Sequence, residues 1–218
     1  MSRTFRVVAL FAVMAVASLL ALIPGRAVAG QDVLDLWEAT AAPPVPEAKA
    51  VAVNPATTAL LILDIEAATC NVERRPRCLD TVPRIAALAE RFRAKGAPVL
   101  YSLTRVGSPE TVLPPVKAHP GEPFVQSTVD KFLGTKLDDL LKERHVDTVV
   151  ITGTAAHGAV LHTATGAAQR GYGVVLPVDG LSAESVFIEK AAVWLLLEGP
   201  ATKGKVSLTR CGQVGWKE

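Results

Sequence analysis

The chain has 218 residues, half of them hydrophobic and a fifth charged, with a formal net charge of +2. Arg3, Arg6 and Arg26 fall in the first 29 residues, which hold no acids, so the other 189 residues carry 20 basic and 21 acidic side chains. A body this close to neutral gives no reason to expect a basic nucleic-acid surface or a polybasic membrane patch, and its length suits one domain with a sizeable core.

Arg3 and Arg6 precede a long apolar run over residues 7–23, which Pro24-Gly25 closes. Ala27-Val28-Ala29 then offers a small-x-small cleavage site before Gly30. This layout predicts a secretory signal peptide over residues 1–29. The alternative is an N-terminal membrane anchor, since the run is nearly long enough to span. Cleavage would leave no stable membrane insertion and a periplasmic or secreted chain. Residues 30–53 read as an arm or linker. A short apolar piece, 33–37, is followed by Pro43, Pro44 and Pro46. Leu36 and Trp37 would anchor the arm, on its own domain or on a neighbouring subunit.

The domain proper is expected over residues 54–218. Residues 58–64 form a continuous apolar run that ends in Asp64. Such runs suit strands buried on both faces of a parallel sheet, and an acid at the carboxyl end of one sits where open α/β sheets bind ligands. Cys70 and Cys78 bracket a polar stretch without helix or strand period, and export implies an oxidising compartment. A loop-closing disulfide between them is expected, with Cys211 free or pairing instead with one of the two. No His or second Cys stands nearby at ligand spacing, so no metal site is expected.

Residues 81–95 carry apolar positions at helical spacing and stop at Gly96. Residues 98–104 read as a strand. Residues 105–123, rich in Pro and Gly, read as a long functional loop in which His119 is solvated. A short strand at 124–126, a helix at 137–144, a strand at 146–152, a helix at 158–170 and a strand at 173–177 follow. Ser182 is the expected cap of a helix running to about Leu197, and 206–209 closes as a strand. Strands alternating with helices predict an α/β fold, a three-layer α/β/α sandwich around a parallel sheet. There is no internal repeat, no Gly-x-Gly-x-x-Gly and no phosphate-binding loop with Lys, so no nucleotide cofactor is indicated and none of another kind is expected.

Residues 149–164 are the most informative stretch. A β-branched run ends in the small-residue turn Gly153-Thr154-Ala155-Ala156-His157-Gly158-Ala159, and a helix pattern begins at once. The free N–H groups of such a turn and the positive end of the helix dipole can hold a developing negative charge. No Ser, Cys or Lys follows the turn as a nucleophile. His162, five residues beyond His157, lies off the facing position and is expected in the core or on the surface.

Three segments in this order resemble the isochorismatase-like superfamily, which also holds the nicotinamidase-type cysteine hydrolases. They are Ala59-Leu60-Leu61-Ile62-Leu63-Asp64-Ile65-Glu66, Phe132-Leu133-Gly134-Thr135-Lys136-Leu137, and Val150-Ile151-Thr152-Gly153 through Thr163-Ala164. The resemblance covers most of the chain beyond residue 53 and implies a six-stranded parallel sheet with flanking helices. The family's hydrolases use an Asp after the first strand, a mid-chain Lys and a Cys at the turn. The Asp matches Asp64. Glu66 stands where Gln is usual. The nucleophile's place, counted from Gly153, falls at Ala159. Counted without gaps from Phe132 and Thr135, the lysine's place falls at Gln126. Lys131 lies five residues later, in a slot where a small residue is usual.

A methyl group cannot attack a carbonyl, so Ala159 makes this an atypical member in which a thioester route is closed. Ala156-His157 resembles the isochorismatase branch, which also lacks the Cys and cleaves a vinyl ether by acid catalysis. The resemblance therefore implies a hydrolase of a small molecule with Asp64 as general acid/base. Lys131 or Gln126 would position a substrate carboxylate or water. Gly153, Thr154, Ala155, His157 and Ala159 would line the pocket, with His157 either touching substrate or merely packing. Isochorismate is cytosolic, so export argues against it as substrate. The alternative is a catalytically degenerate member that binds a small molecule or a protein. Homodimer formation is implied by the resemblance alone.

Overall fold

A computed structural model describes residues 30–217; the expected signal peptide lies outside the described residues. The chain divides into two units at Val45/Pro46. In the first, residues 33–39 form consecutive turns, and the Asp32 carboxylate accepts from the backbone N–H groups of Leu34 and Asp35.

The second unit holds nine strands and four α-helices among the described residues. The strands are β1 (Val51–Val53), β2 (Thr58–Leu63), β3 (Val99–Leu103), β4 (Phe124–Gln126), β5 (Thr148–Thr154), β6 (Gly173–Pro177), β7 (Leu181–Ser182), β8 (Val206–Thr209) and β9 (Val214–Trp216). The helices are α1 (Pro76–Ala94), α2 (Leu137–Lys142), α3 (Leu161–Gln169) and α4 (Val186–Glu198). The main sheet runs β4-β3-β2-β5-β6-β8, and every pair in it is parallel. This is the expected six-stranded sheet, with the two-residue β7 added against β5 as a seventh strand. β1, within the stretch read as an arm, pairs with β9 in a separate two-stranded sheet.

β2 shows why the sheet is parallel and central. All six of its residues are buried, so both faces need a cover. Leu60 and Ile62 pack with Ile85, Leu88 and Phe92 of α1. Ala59, Leu61 and Leu63 pack on the other face with residues of α2, α3 and α4. That alternation gives the three-layer sandwich. Each fully buried large apolar side chain contributes roughly 1.5–3 kcal/mol. No described helix is long and apolar enough to cross a membrane.

Three local expectations are corrected. α1 starts at Pro76 rather than residue 81, with that proline in its first turn, so Cys78 is helical and Pro83 lies inside the helix. The cap of α4 is Ser185, whose hydroxyl accepts from the Ile188 N–H at 3.3 Å; Ser182 sits in β7 with its hydroxyl buried and unpartnered among the described residues. The helix after β5 opens with a π-helical turn at Ala156–Val160 before α3.

The order of pairing places the site. The chain moves outward from β2 to β3 and β4, then returns to lay β5 on the other side of β2. The crevice beyond the carboxyl ends of β2 and β5 is the point where strand order reverses, and open α/β sheets bind ligands there. Leu63 pairs with both Ser102 and Gly153, so Asp64, Leu103 and Thr154 follow at one level. Gly153 has φ +130°, and a Cβ there would lie 2.1 Å from the Leu63 carbonyl oxygen. Only glycine lets β5 pass β2 this closely.

Candidate active site

Asp64 is the first residue past β2 and adopts φ 54°, the left-handed region that Asp enters more readily than most residues. Its N–H donates to the Ser102 carbonyl at 3.2 Å, and the Ser102 hydroxyl donates to its Oδ1 at 2.6 Å. Lys131 Nζ lies 2.8 Å from its Oδ2. The lysine is fully buried and also donates to the carbonyls of Leu103 and Ser127, both at 3.3 Å. All three ammonium donors thus find oxygen. Burial pushes the Asp64 carboxyl above its ordinary range, and Lys131, Ser102 and Arg75 pull against that without cancelling it. A buried carboxyl poised upward and clamped at both oxygens can take or give a proton nearer neutrality than a free one.

Of the two residues proposed for the family lysine's role, the structure brings Lys131 to Asp64 and not Gln126. Gln126 is exposed at the end of β4, and its amide donates to the carbonyls of Thr104 and Gly107, both at 2.8 Å. It holds the start of the 104–123 connection.

The turn residues occupy the carboxyl end of β5. Thr154 is buried and donates to the Ser182 carbonyl at 3.2 Å, and the Thr154–Ala155 peptide is cis. Ala155 and Ala159 are buried, and the Gly158 N–H returns to the Ala155 carbonyl at 3.0 Å. His157 is exposed, with Nδ1 3.8 Å from Glu184 Oε2. His162 is exposed on α3, and His119 is exposed as expected.

Three partners receive no role from the sequence alone. Ser102 is a lone hydroxyl in an apolar strand, which is a usable signal once register is known. Glu66 is buried, and its carboxylate accepts from the Thr104 N–H at 2.6 Å and from the Thr104 and Thr111 hydroxyls at 3.1 and 3.5 Å. Burial raises its carboxyl, and the Thr104 bonds oppose that. The room it occupies is left by Gly107, whose Cβ would lie 1.9 Å from Glu66 Oε2. Arg75 is the third. Cys70 and Cys78 are disulfide-bonded with Cα atoms 5.3 Å apart, and the closed loop presents Arg75 to Glu184. Cys211 is free and buried. No His/Cys/Asp/Glu group suited to a metal ion occurs among the described residues.

Chemically, the arrangement offers an acid/base group on a clamped buried carboxyl, a neighbouring cation, and a turn of small residues. It offers no thiol or hydroxyl at position 159.

A family model described as Isochorismatase domain matches residues 58–202. The uncharacterized isochorismatase family protein YecD of Escherichia coli O157:H7 is 31% identical over 158 residues, 61% of this chain and 83% of that protein. Streptothricin hydrolase of Streptomyces noursei is 34% identical over 142 residues, 60% of this chain and 56% of that enzyme. The chain therefore spans just over half the length of that second relative. The structure of an isochorismatase family protein from Burkholderia thailandensis superposes with a TM-score of 0.63 at 27% identity, covering 75% of this chain and 95% of that one.

Proposed function

The chain belongs to the isochorismatase family, and from that premise we propose that it is a hydrolase of a small molecule that works by acid–base chemistry without a covalent intermediate. The buried contact of Lys131 with Asp64, 2.8 Å at the topological switch point, carries this reading. A carboxyl with this environment has the position and the raised proton affinity of a general acid/base. Ala159 closes the thioester route, so the attacking atom is water activated by ionised Asp64, or the first step is proton delivery from neutral Asp64 to an enol ether carbon. Lys131 positions the Asp64 carboxylate and offsets its charge. Gly153, Thr154, Ala155 and His157 shape the opposite wall, and the N–H groups of the first helical turn face developing charge. That a similar protein is named a hydrolase supports the reaction class, not a substrate.

An exported site of action belongs to the same proposal. The Cys70–Cys78 bond supports an oxidising compartment, as does the leader-like residue pattern at 1–29.

A catalytically silent binding module is the second reading. Ala159 favours it, as does the near-complete burial of Asp64. A hydrolysis screen over esters, amides and enol ethers separates the two, with Asp64→Asn as the paired control. Turnover of at least one class by wild type and its loss in Asp64→Asn is the expected result. Equal background rates on every compound would leave only the binding module.

A further inference from the structure

The rim of the site carries an arginine–carboxylate–imidazole chain that the acid–base chemistry does not use. Arg75 is buried, with its side chain 8% exposed. Its Nε and Nη2 both reach Glu184 Oε1, at 2.8 and 2.7 Å, and its Nη1 donates to the Thr69 carbonyl at 3.3 Å. Thr69 in turn donates its hydroxyl to the Asp64 carbonyl, so Arg75 is tied through Thr69 to the backbone of the acid/base residue. Glu184 is therefore held on both sides of its backbone and at one oxygen. The Ala183 N–H is tied to Glu189 at 3.1 Å, Ser185 caps α4, and Arg75 grips Oε1.

The other oxygen is different. Arg75 grips only Oε1, and His157 Nδ1 stands off from Glu184 Oε2 at 3.8 Å, beyond hydrogen-bond distance. The Glu184 side chain is 39% exposed. Burial acts most strongly on its carboxyl and raises it, but the Arg75 hydrogen bonds, the Glu184 backbone N–H and the Arg75 charge together outweigh that and hold it below the ordinary range, so it is ionised at neutral pH. An ionised, rigidly held carboxylate oxygen left open beside a reaction site is an acceptor for a charged donor.

The arginine does not offer the complementary service to an anion. Its fork is buried and already filled by Glu184. A substrate carboxylate would have to evict a tethered one and leave it without a partner. Lys131 is fully buried and its three ammonium donors already meet Asp64 and the Leu103 and Ser127 carbonyls, so it has no donor open to an anion, whereas Glu184 is 39% exposed.

We propose that Glu184 is the specificity-determining residue of this site, and that its Oε2 receives an ammonium or similar charged N–H group, so the site takes small amine-bearing molecules. The inference names a substrate class and rests on the hydrolase reading for what then happens to it, but recognition itself is testable without turnover.

Three probes of one shape separate the charges: benzylammonium, benzyl alcohol and benzoate, each titrated into the full-length protein by calorimetry at pH 7. Benzylammonium is expected to bind at least ten-fold more tightly than benzyl alcohol, with benzoate weakest. This comparison needs no variant. In Glu184→Gln the benzylammonium advantage should fall to two-fold or less, and Glu184→Asp, which keeps the charge and the pairing for Arg75, should retain most of it. Benzoate binding tightest would overturn the proposal in favour of Arg75 as receptor. Charge-blind binding, no saturable benzylammonium binding, or an advantage that survives Glu184→Gln would also overturn it. The titration is repeated with Asp64→Asn. Ammonium selectivity there, with no turnover of any substrate by wild type, means that the hydrolase reading fails and the recognition stands. Turnover with charge-blind binding means the reverse.

Discussion

Lys131 Nζ meets Asp64 Oδ2 at 2.8 Å from a position five residues beyond the one that motif spacing assigns to a lysine. Contact with Asp64 thus comes from a lysine that the gap-free count does not point to. Removing it tests the partnership. In Lys131→Met the buried Asp64 carboxyl loses its strongest opposing influence and its pKa rises further. Turnover should fall by a factor on the order of 10² to 10⁴ at neutral pH, the usual scale for a positioned proton-transfer group. Chemical denaturation should show a stability deficit that is small in acid and grows with pH, because the lone carboxylate ionises at increasing cost.

The pH profile identifies which protonation state works. Burial raises the Asp64 pKa in the folded chain above its unfolded value. The stability linked to this group is thus fully present below the unfolded pKa and is lost as pH rises through the folded one. If Asp64 activates water, kcat/KM should climb along an acid limb centred above the ordinary 3.8 of an aspartate. If it protonates an enol ether, activity should fall across the same interval. A profile with no limb anywhere above pH 3.8 on the substrate found in the screen would exclude Asp64 from the proton transfer in either direction.

Gly107 and Glu66 form a matched pair of space and charge. A Cβ at 107 would lie 1.9 Å from Glu66 Oε2, so Gly107→Ala must push the carboxylate off the Thr104 N–H. The expected cost is about 1–3 kcal/mol, the scale for leaving buried hydrogen-bonding groups unpaired. A double-mutant cycle gives the sharper result. In a Glu66→Ala background the same Gly107→Ala change should cost much less, and additive effects would show that the two residues do not interact.

The disulfide bears on stability and on the rim together. Closing the short loop from Cys70 to Cys78 stabilises the fold by about 2 kcal/mol on chain-entropy grounds. The double Cys→Ser variant should therefore melt roughly 4–8 °C lower. It should also lose ammonium selectivity, since Arg75 lies within the loop and fixes Glu184. Unchanged selectivity with a lowered melting temperature would confine the bond to a structural role. Mass spectrometry of unreduced protein should show the two cysteines linked.

Much of the fold was legible because its strands are written in unambiguous apolar runs. β2, β3, β6 and β8 occupy the expected residues to within one position at either end, and the sheet class follows from alternation. β1, β7 and β9 were not legible, since two or three residues carry no period and exist as strands only through their partners. α1 was read five residues short because the cysteines and arginines before residue 81 mask helical spacing that Pro76 and the disulfide turn support. In the site, Asp64 and the turn could be named from position at strand ends. Choosing between Gln126 and Lys131 could not be done by counting, since a gap-free count assumes that a side chain keeps its offset. Arg75 meets Glu184, and Ser102 meets Asp64, across sequence separations that no local pattern encodes.

The left-handed backbone at Asp64, φ 54°, restricts what evolution can try there. Asn is the neighbour that enters this conformation as readily as Asp, whereas bulkier or branched residues are strained in it. Under the proposed chemistry, the gentlest accepted change at this position is therefore also the one that would abolish proton transfer. One nucleotide step would turn the proposed catalyst into a binder with its scaffold intact, so the passage between the two readings of this chain is sterically open in both directions.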